Sequence, residues 1–371
     1  MHVLLPAWRL LDPPTGVGRV LWHLTTEVSA LDPEVSFTVL HDGPQARVPP
    51  LSALSARRLR SGPRDVNFLW NEWAVPAAAR RLRPDLFHNV NYTLPRGIAA
   101  PSVVTVHDIS YVRHPEWFTR RIGGYLRAGT ARAARGATLL TAVSEFTAGE
   151  LRQVYGLEAE RVVVVPNGVE ERFAPVADLE HLRARYRLPE RFVLHLGGIH
   201  TRRRVDRLLA ACAQVLARHE AHLVLAGPTA RDGWDARAAA AALGLGDRVR
   251  FLGFVPDADL PALYSAAACF AWPSVYEGFG LPPLEALACG APTIVAKASA
   301  LPEVVGEAAL TVEPDNVEAL AEALDRVLGD AELAAELARR GPLRAAQFSW
   351  RRAGALMLDV YRRALAAGGR P

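Results

Sequence analysis

Hydrophobic positions recur along this chain as short apolar runs, separated by longer amphipathic stretches from one end to the other. That alternation is the pattern of parallel α/β architecture, where strands buried on both faces are joined by covering helices. In the first half it predicts strands at His2–Ala7, Phe37–Leu40, Leu86–Asn89, Val103–Val106, Thr138–Val143 and Val162–Val165. In the second half it predicts Phe192–Leu196, His222–Ala226, Val249–Leu252, Ala268–Trp272, Thr293–Ala296 and Ala309–Val312. Each set supplies about six strands, enough for one doubly wound, Rossmann-like sheet. Turn-rich residues from Pro166-Asn167-Gly168 to Phe173-Ala174-Pro175 mark the boundary, with Asn-Gly supplying positive φ angles. The expected organisation is a domain over 1–170, a second over 171–349, and a terminal helix over 350–371 that packs back on the first. The period from Trp350 to Leu365 sets Leu356, Val360 and Tyr361 on one face.

The length of 371 residues agrees with two domains, and 50% hydrophobic with 22% charged residues describes a packed globular chain. A net charge of +4 is too small and scattered for a nucleic-acid partner, though it fits anionic substrates or the surface of an acidic membrane. Lys297 is the only lysine, isoleucine is scarce and alanine abundant, which reads as a GC-rich genome in which arginine stands for lysine. A pyridoxal-phosphate enzyme needs a Schiff-base lysine, and only Lys297 could serve. Cys212, Cys269 and Cys289 have no paired spacing and sit in apolar surroundings, so buried free thiols in a reducing compartment are expected. Met1 to Leu5 has no charged leader region, and no apolar run approaches the ~18 residues of a membrane span. A cytoplasmic location is expected.

The run from Pro273 to Ala286 sets Glu277 and Glu285 around a glycine-containing turn. The apolar run Ala267 to Trp272 before it predicts a buried strand, and Pro283 onward predicts a helix with proline in its first turn. Such a unit aims the backbone N–H groups of residues 278–281 and the positive helix end at one spot, which suits an anion. Carboxylates beside phosphate-binding amides make sense if they accept hydrogen bonds from sugar hydroxyls, so the combination suggests a nucleotide-sugar site.

Four other places carry candidate chemistry. The loop Asp12 to Arg19 holds Gly16 and Gly18 at the opening of a helix, where backbone amides can approach a phosphate. A dinucleotide fingerprint with Asp42 as ribose acid competes with that reading, but Leu21 stands where its third glycine belongs and the strand-to-glycine segment is too long. His107-Asp108 follows a strand directly, at the carboxyl end where ligands of open α/β sheets sit. There His107 could bond a sugar hydroxyl or the acceptor; an isolated histidine is otherwise structural. Gly197 to Arg204 places Arg202, Arg203 and Arg204 at a strand-to-helix junction, where adjacent guanidinium forks suit a pyrophosphate better than a solvated helix start. Asp257-Ala258-Asp259 could hold a metal, but helix capping explains both acids, and no other acids or histidines have metal-ligand spacing.

In order and spacing these motifs resemble the retaining glycosyltransferases of family 4, which have the GT-B fold. The resemblance covers nearly the whole chain: Thr15-Gly16-Val17-Gly18-Arg19, Thr105-Val106-His107-Asp108, Val143-Ser144-Glu145-Phe146, Val164 to Val169, the basic loop, Phe251 to Val255, Pro273 to Glu285, Ala288 to Pro292 and Leu301 to Val304. It implies an acceptor-side N-terminal domain and a nucleotide-sugar-binding C-terminal domain facing a central cleft. By that resemblance Glu277 and the amides of Gly278, Phe279, Gly280 and Leu281 hold the donor sugar and distal phosphate. Glu285 holds the ribose, and Gly197 and Val255 join the donor site. Gly16 and Gly18 close on the phosphates, and His107 faces the transferred sugar. The family's Arg-Lys pair maps onto Arg202 and Arg203, and the asparagine common after it is Arg204 here.

The implied reaction breaks the anomeric bond to phosphate with oxocarbenium character. Arg202, Arg203, the loop amides and the helix end stabilise the departing diphosphate, so no metal or other cofactor is expected. The segments His107 to Tyr111 and His114 to Phe118 look most like bacterial mannosyltransferases of surface polysaccharide assembly. They point to GDP-mannose as donor, with UDP-glucose or another nucleotide sugar left open, and to a glycan or lipid-linked saccharide as acceptor, with peripheral membrane association compatible with that role. Two competitors remain: a nucleotide-sugar 2-epimerase of the same fold, which needs no acceptor, and a non-catalytic partner subunit, against which intact Gly16, Gly18, His107, Glu277 and Glu285 argue.

Overall fold

The computed structural model of the chain describes residues 1–8, 16–43, 48–59, 67–199, 201–228 and 234–368. The chain divides into two compact units, one of Met1–Gly168 with Trp350–Pro371, the other of Val169–Ser349. The first holds β1 (His2–Pro6), β2 (Ser36–His41), β3 (Leu54–Arg58), β4 (Leu86–Asn89), β5 (Ser102–Val106), β6 (Leu139–Ala142) and β7 (Val162–Val164). They form one parallel sheet in the order β3-β2-β1-β4-β5-β6-β7. The second holds β8 (Phe192–Leu196), β9 (His222–Ala226), β10 (Val249–Gly253), β11 (Cys269–Trp272), β12 (Thr293–Ala296) and β13 (Leu310–Val312). These are also parallel, in the order β10-β9-β8-β11-β12-β13. Strand order reverses between β1 and β4 in one sheet and between β8 and β11 in the other. These are the two crevices where such sheets take ligands.

Twelve of these strands coincide with predicted apolar runs, shifted at most by a residue or two at their ends. The strand β3, Leu-Ser-Ala-Arg-Arg, was not predicted. Among the described residues it pairs only with β2, and four of its five residues are exposed, so it shows no continuous apolar run.

Within β1 the period of two sends Val3 and Leu5 into one apolar cluster and Leu4 into another, one on each side of the sheet; Val103 and Val104 of β5 divide the same way. The first cluster is completed by the terminal helix Trp350–Gly368, which inserts Met357, Val360 and Tyr361. That helix lies against the helix Gly16–Leu31, and Gly354 makes the approach possible: a Cβ there would stand 2.5 Å from Glu27 Cβ. Leu356, placed on the buried face by periodicity, is only partly buried. A second bond network ties the helix down, since the buried His88 ring bonds the Tyr361 hydroxyl at 2.8 Å and the Thr105 hydroxyl at 2.8 Å. All three cysteines are buried free thiols, and burial pushes each thiol pKa up, to about 12 at Cys289. No described helix is long and apolar enough to cross a membrane.

Candidate functional site

In the second unit the chain leaves β8 through Gly197, makes a short 3-10 turn over Thr201–Arg203, and enters the helix Val205–Val215. Gly197 has φ 141°, and a Cβ there would overlap the Arg203 guanidinium and lie 3.0 Å from the Trp272 ring. This glycine therefore serves Arg203: it clears the space in which the side chain lies over Trp272, 4.6 Å from the ring centroid, and donates to the Gly198 carbonyl at 3.1 Å. Trp272 is itself fully buried and stacked with His195 at 4.9 Å, so the guanidinium rests on a rigid floor.

From β11 the chain turns through Pro273 to Gly280 and enters the helix Leu281–Ala288. Ser274, fully buried, donates to Glu277 Oε1 at 2.8 Å. Arg203 Nε lies 3.9 Å from Glu277 Oε1 and Arg202 Nη2 lies 4.0 Å from Oε2. The two loops are also joined through backbone, Val275 N–H donating to the Arg202 carbonyl at 3.1 Å. Two positive charges thus meet one negative charge, leaving a surplus that suits an anion. Burial lowers the Arg203 pKa from its ordinary value while Glu277 raises it, and an arginine shifted this way keeps its charge.

The helix begins at Leu281, two residues before the predicted start, because Pro282 and Pro283 both fit a first turn. Gly280 is its N-cap with φ 115°, no side chain caps it, and a Cβ at Gly280 would stand 2.9 Å from Leu301. Phe279 packs its ring on Phe348 at 5.7 Å, so its contribution to a ligand falls to its backbone. Gly278 is buried and Leu281 half-buried beside it. Glu285 is buried inside the helix and accepts a hydrogen bond from the Tyr264 hydroxyl at 2.9 Å. Val255 is buried in the loop after β10, the edge strand two places from β8.

Two further expectations change. Arg204 does not join its neighbours: with φ 51° it turns to Asp315, Nε to Oδ1 2.7 Å. Asp257 and Asp259 do not cap the following helix, which shows no side-chain cap bond. Instead Asp259 accepts from the Tyr186 hydroxyl at 2.6 Å and pairs with Arg185 at 3.2 Å, and Asp257 lies 3.7 Å from Arg172. Ion pairing, available only in the folded unit, takes the acids that local capping would have used. Among the described residues no three His, Cys, Asp or Glu side chains gather as a metal site.

The first unit carries the remaining candidates. Gly16 and Gly18 lie in the first turn of the helix Gly16–Leu31, Gly16 exposed with open space where a Cβ would be. Asp12 to Thr15 and, in the other unit, His200 lie outside the described residues. His107 sits at the end of β5, half-buried, and its Nε2–H donates to the Val90 carbonyl at 2.8 Å. Burial holds its pKa below the usual imidazole value, opposed by that hydrogen bond and by Asp108. The neutral ring therefore offers Nδ1 as an acceptor, with the Tyr92 ring edge-on at 5.5 Å.

Sequence reading missed Ser274, Ser299 and Trp272. Ser299 accepts the Glu277 N–H at 2.8 Å from 22 residues away, and no local signal marks it. Trp272 was visible only as part of an apolar strand.

Residues 14–173 match the family described as Glycosyltransferase Family 4, and residues 180–344 match Glycosyl transferases group 1. The chain is 30% identical over 385 residues to the O-antigen chain mannosyltransferase B of Escherichia coli, covering 98% of this chain and 100% of that one. It is 32% identical over 237 residues to the serotype-specific mannosyltransferase WbdA of Escherichia coli, covering 62% of this chain but 29% of that longer one. Among solved structures, sucrose-phosphate synthase from Thermosynechococcus elongatus superposes with a TM-score of 0.82 at 24% identity, covering 99% of this chain and 100% of that one. With both of its domains matched and a relative aligned over its full length, this chain belongs to the GT-B glycosyltransferases, joining a family 4 N-terminal domain to a group 1 C-terminal domain.

Proposed function

We propose that the protein transfers mannose from GDP-mannose to a glycan or lipid-linked saccharide, with retention at the anomeric carbon and without a metal. The observation that carries this reading is the cluster of Arg202, Arg203 and Glu277 beside the start of the helix Leu281–Ala288. Likeness to the Escherichia coli mannosyltransferase over the full chain supports mannose as the sugar. In the proposed reaction the anomeric C–O bond breaks and its electron pair goes to the diphosphate. The acceptor hydroxyl forms the new bond on the same face and passes its proton to the departing phosphate oxygen. Charge grows on the diphosphate as this happens, and the two half-buried guanidinium groups would stabilise it most in the transition state.

Glu277, held by Ser274, would accept hydrogen bonds from the sugar hydroxyls, and Glu285 from the ribose. His107 would accept from the transferred sugar or the acceptor. Gly16 and Gly18 would approach the phosphates through backbone amides. No separate nucleophilic carboxylate is invoked, which agrees with attack on the face the diphosphate leaves. The nearby surface of an acidic membrane would present a lipid-linked acceptor.

The test is a panel of nucleotide sugars with α-linked mannooligosaccharide acceptors, run with excess chelator or added magnesium or manganese and read by NMR of the product. An α-anomer formed from GDP-mannose with chelator present is expected. A β-anomeric product would end the retaining assignment, and complete loss restored by metal would end the metal-free one. Conversion of the nucleotide sugar to its C2 epimer without acceptor would favour the epimerase.

A further inference from the structure

Behind the residues that face the candidate site, one short segment of the second unit holds them in place. The chain leaves β12 at Ala296 and enters the helix Leu301–Val305 after residues 297–300. Ser299, within that connection, has φ 53°. A residue with a Cβ takes this left-handed region only at a cost, and serine is not among the residues that visit it routinely. Arg83 and Arg187 take it where they close helices, the usual place for it, whereas Ser299 closes none. Such backbone persists where the surroundings over-determine it, and it concentrates at functional sites.

What over-determines it here is Glu277. The Glu277 N–H donates to Ser299 Oγ at 2.8 Å, and the Ala300 N–H donates to the Glu277 carbonyl at 3.2 Å. Both backbone polar groups of Glu277 are therefore held by one dipeptide, and Ser274 fixes the side chain by donating to Oε1 at 2.8 Å. The next residue, Leu301, meets the far end of the same loop, since a Cβ at Gly280 would stand 2.9 Å from its side chain. Residues 299–301 thus form a template for the loop 277–280, gripping it where it begins and where it passes into the helix Leu281–Ala288.

A glycine would adopt this φ freely, so the path of the connection by itself favours glycine. What serine adds is a hydroxyl, and that hydroxyl is engaged by Glu277. We infer that Ser299 is a positioning residue for the candidate site: it fixes the Glu277 backbone and so sets where the carboxylate stands against the donor sugar. A displacement of about 1 Å in a group that orients substrate can cost about a hundredfold in rate, so one distant hydrogen bond is enough to matter. That Glu277 meets a donor sugar rests on the transferase reading; the hold of Ser299 on the loop does not.

The test compares Ser299→Ala, which keeps the strained backbone and loses the acceptor, with Ser299→Gly, which loses both strain and acceptor. Three quantities are read on the full chain: hydrogen exchange of the Glu277 amide by mass spectrometry, GDP affinity by calorimetry, and transfer from GDP-mannose as kcat/KM. Expected in both variants are exchange at least about tenfold faster and transfer at least about tenfold slower, the size of one lost hydrogen bond. GDP affinity should stay within about threefold of normal, because GDP carries no sugar for Glu277 to hold. The melting temperature should be higher for glycine than for alanine, so a loss of transfer shared by both does not come from instability. Full-rate transfer by a folded Ser299→Gly protein, unchanged exchange at Glu277, or GDP affinity that falls as far as transfer overturns the assignment. Faster exchange in both variants of a protein that transfers from no nucleotide sugar sinks the transferase reading and leaves the hold of Ser299 on Glu277 standing.

Discussion

Replacing Arg203 by alanine should impair the chemical step far more than donor binding. The side chain is 16% exposed, lies over Trp272 at 4.6 Å, and stands 3.9 Å from Glu277, so its charge is held in a partly desolvated place by rigid neighbours. A fixed donor aimed at charge that develops in the transition state contributes about 2.7–4 kcal/mol. At 1.36 kcal/mol per tenfold, that predicts roughly a hundredfold to a thousandfold loss of kcat, with a much smaller change in donor KM. Deletion also leaves Glu277 with Arg202 at 4.0 Å as its remaining cation, which adds to the loss. Arg203→Lys should recover part of this by restoring charge, but not all, because an ammonium cannot reproduce the planar stack on Trp272. Arg204→Ala is the control: its guanidinium is committed to Asp315, so turnover should stay within a few fold of normal. The assay is steady-state transfer from GDP-mannose, with kcat and KM separated. Near-normal kcat in a folded Arg203→Ala protein would refute the phosphate assignment.

Three further outcomes follow from the same structure. A fragment of residues 169–349 should keep nucleotide affinity but transfer nothing, since Arg202, Arg203, Glu277 and Glu285 lie within it and His107 does not; affinity confined to residues 1–168 would contradict this. Burial lowers the His88 pKa from 6.5 to about 3, so the unfolded chain binds a proton below pH 6.5 that the folded chain refuses. Its contribution is present above pH 6.5 and lost as pH falls toward 3, at about 1.4 kcal/mol per unit. Urea unfolding at pH 7 and 5 should show roughly 2 kcal/mol of this, and His88→Asn should flatten the dependence; an unchanged slope would remove His88 as its source. Gly354→Leu should lower the melting temperature by forcing the helix Trp350–Gly368 off Glu27, an overpacking of about 1–3 kcal/mol; an unshifted melt would show that the helices can separate freely.

The sequence by itself determined the architecture and pointed to most of the residues of the candidate site. Most of the twelve predicted strands were legible because a strand buried on both faces must be apolar throughout, and β3, exposed at an edge, carries no such run. Gly280, Pro283 and Glu277 were legible because turn and helix-start chemistry are local. The tertiary structure decided what these residues do to one another. It set Arg203 on Trp272 across Gly197, separated Arg204 from the pair by giving it Asp315, and moved Asp257 and Asp259 from caps to ion pairs. It also brought Ser299 to the Glu277 amide and joined Asn71 to Thr93 and Tyr125. Periodicity and propensity depend on neighbours a few residues away, so a chain can display them before it folds. The partner of a buried charge or amide is chosen by which groups the packed core leaves within about 3 Å, and that distance exists only after folding.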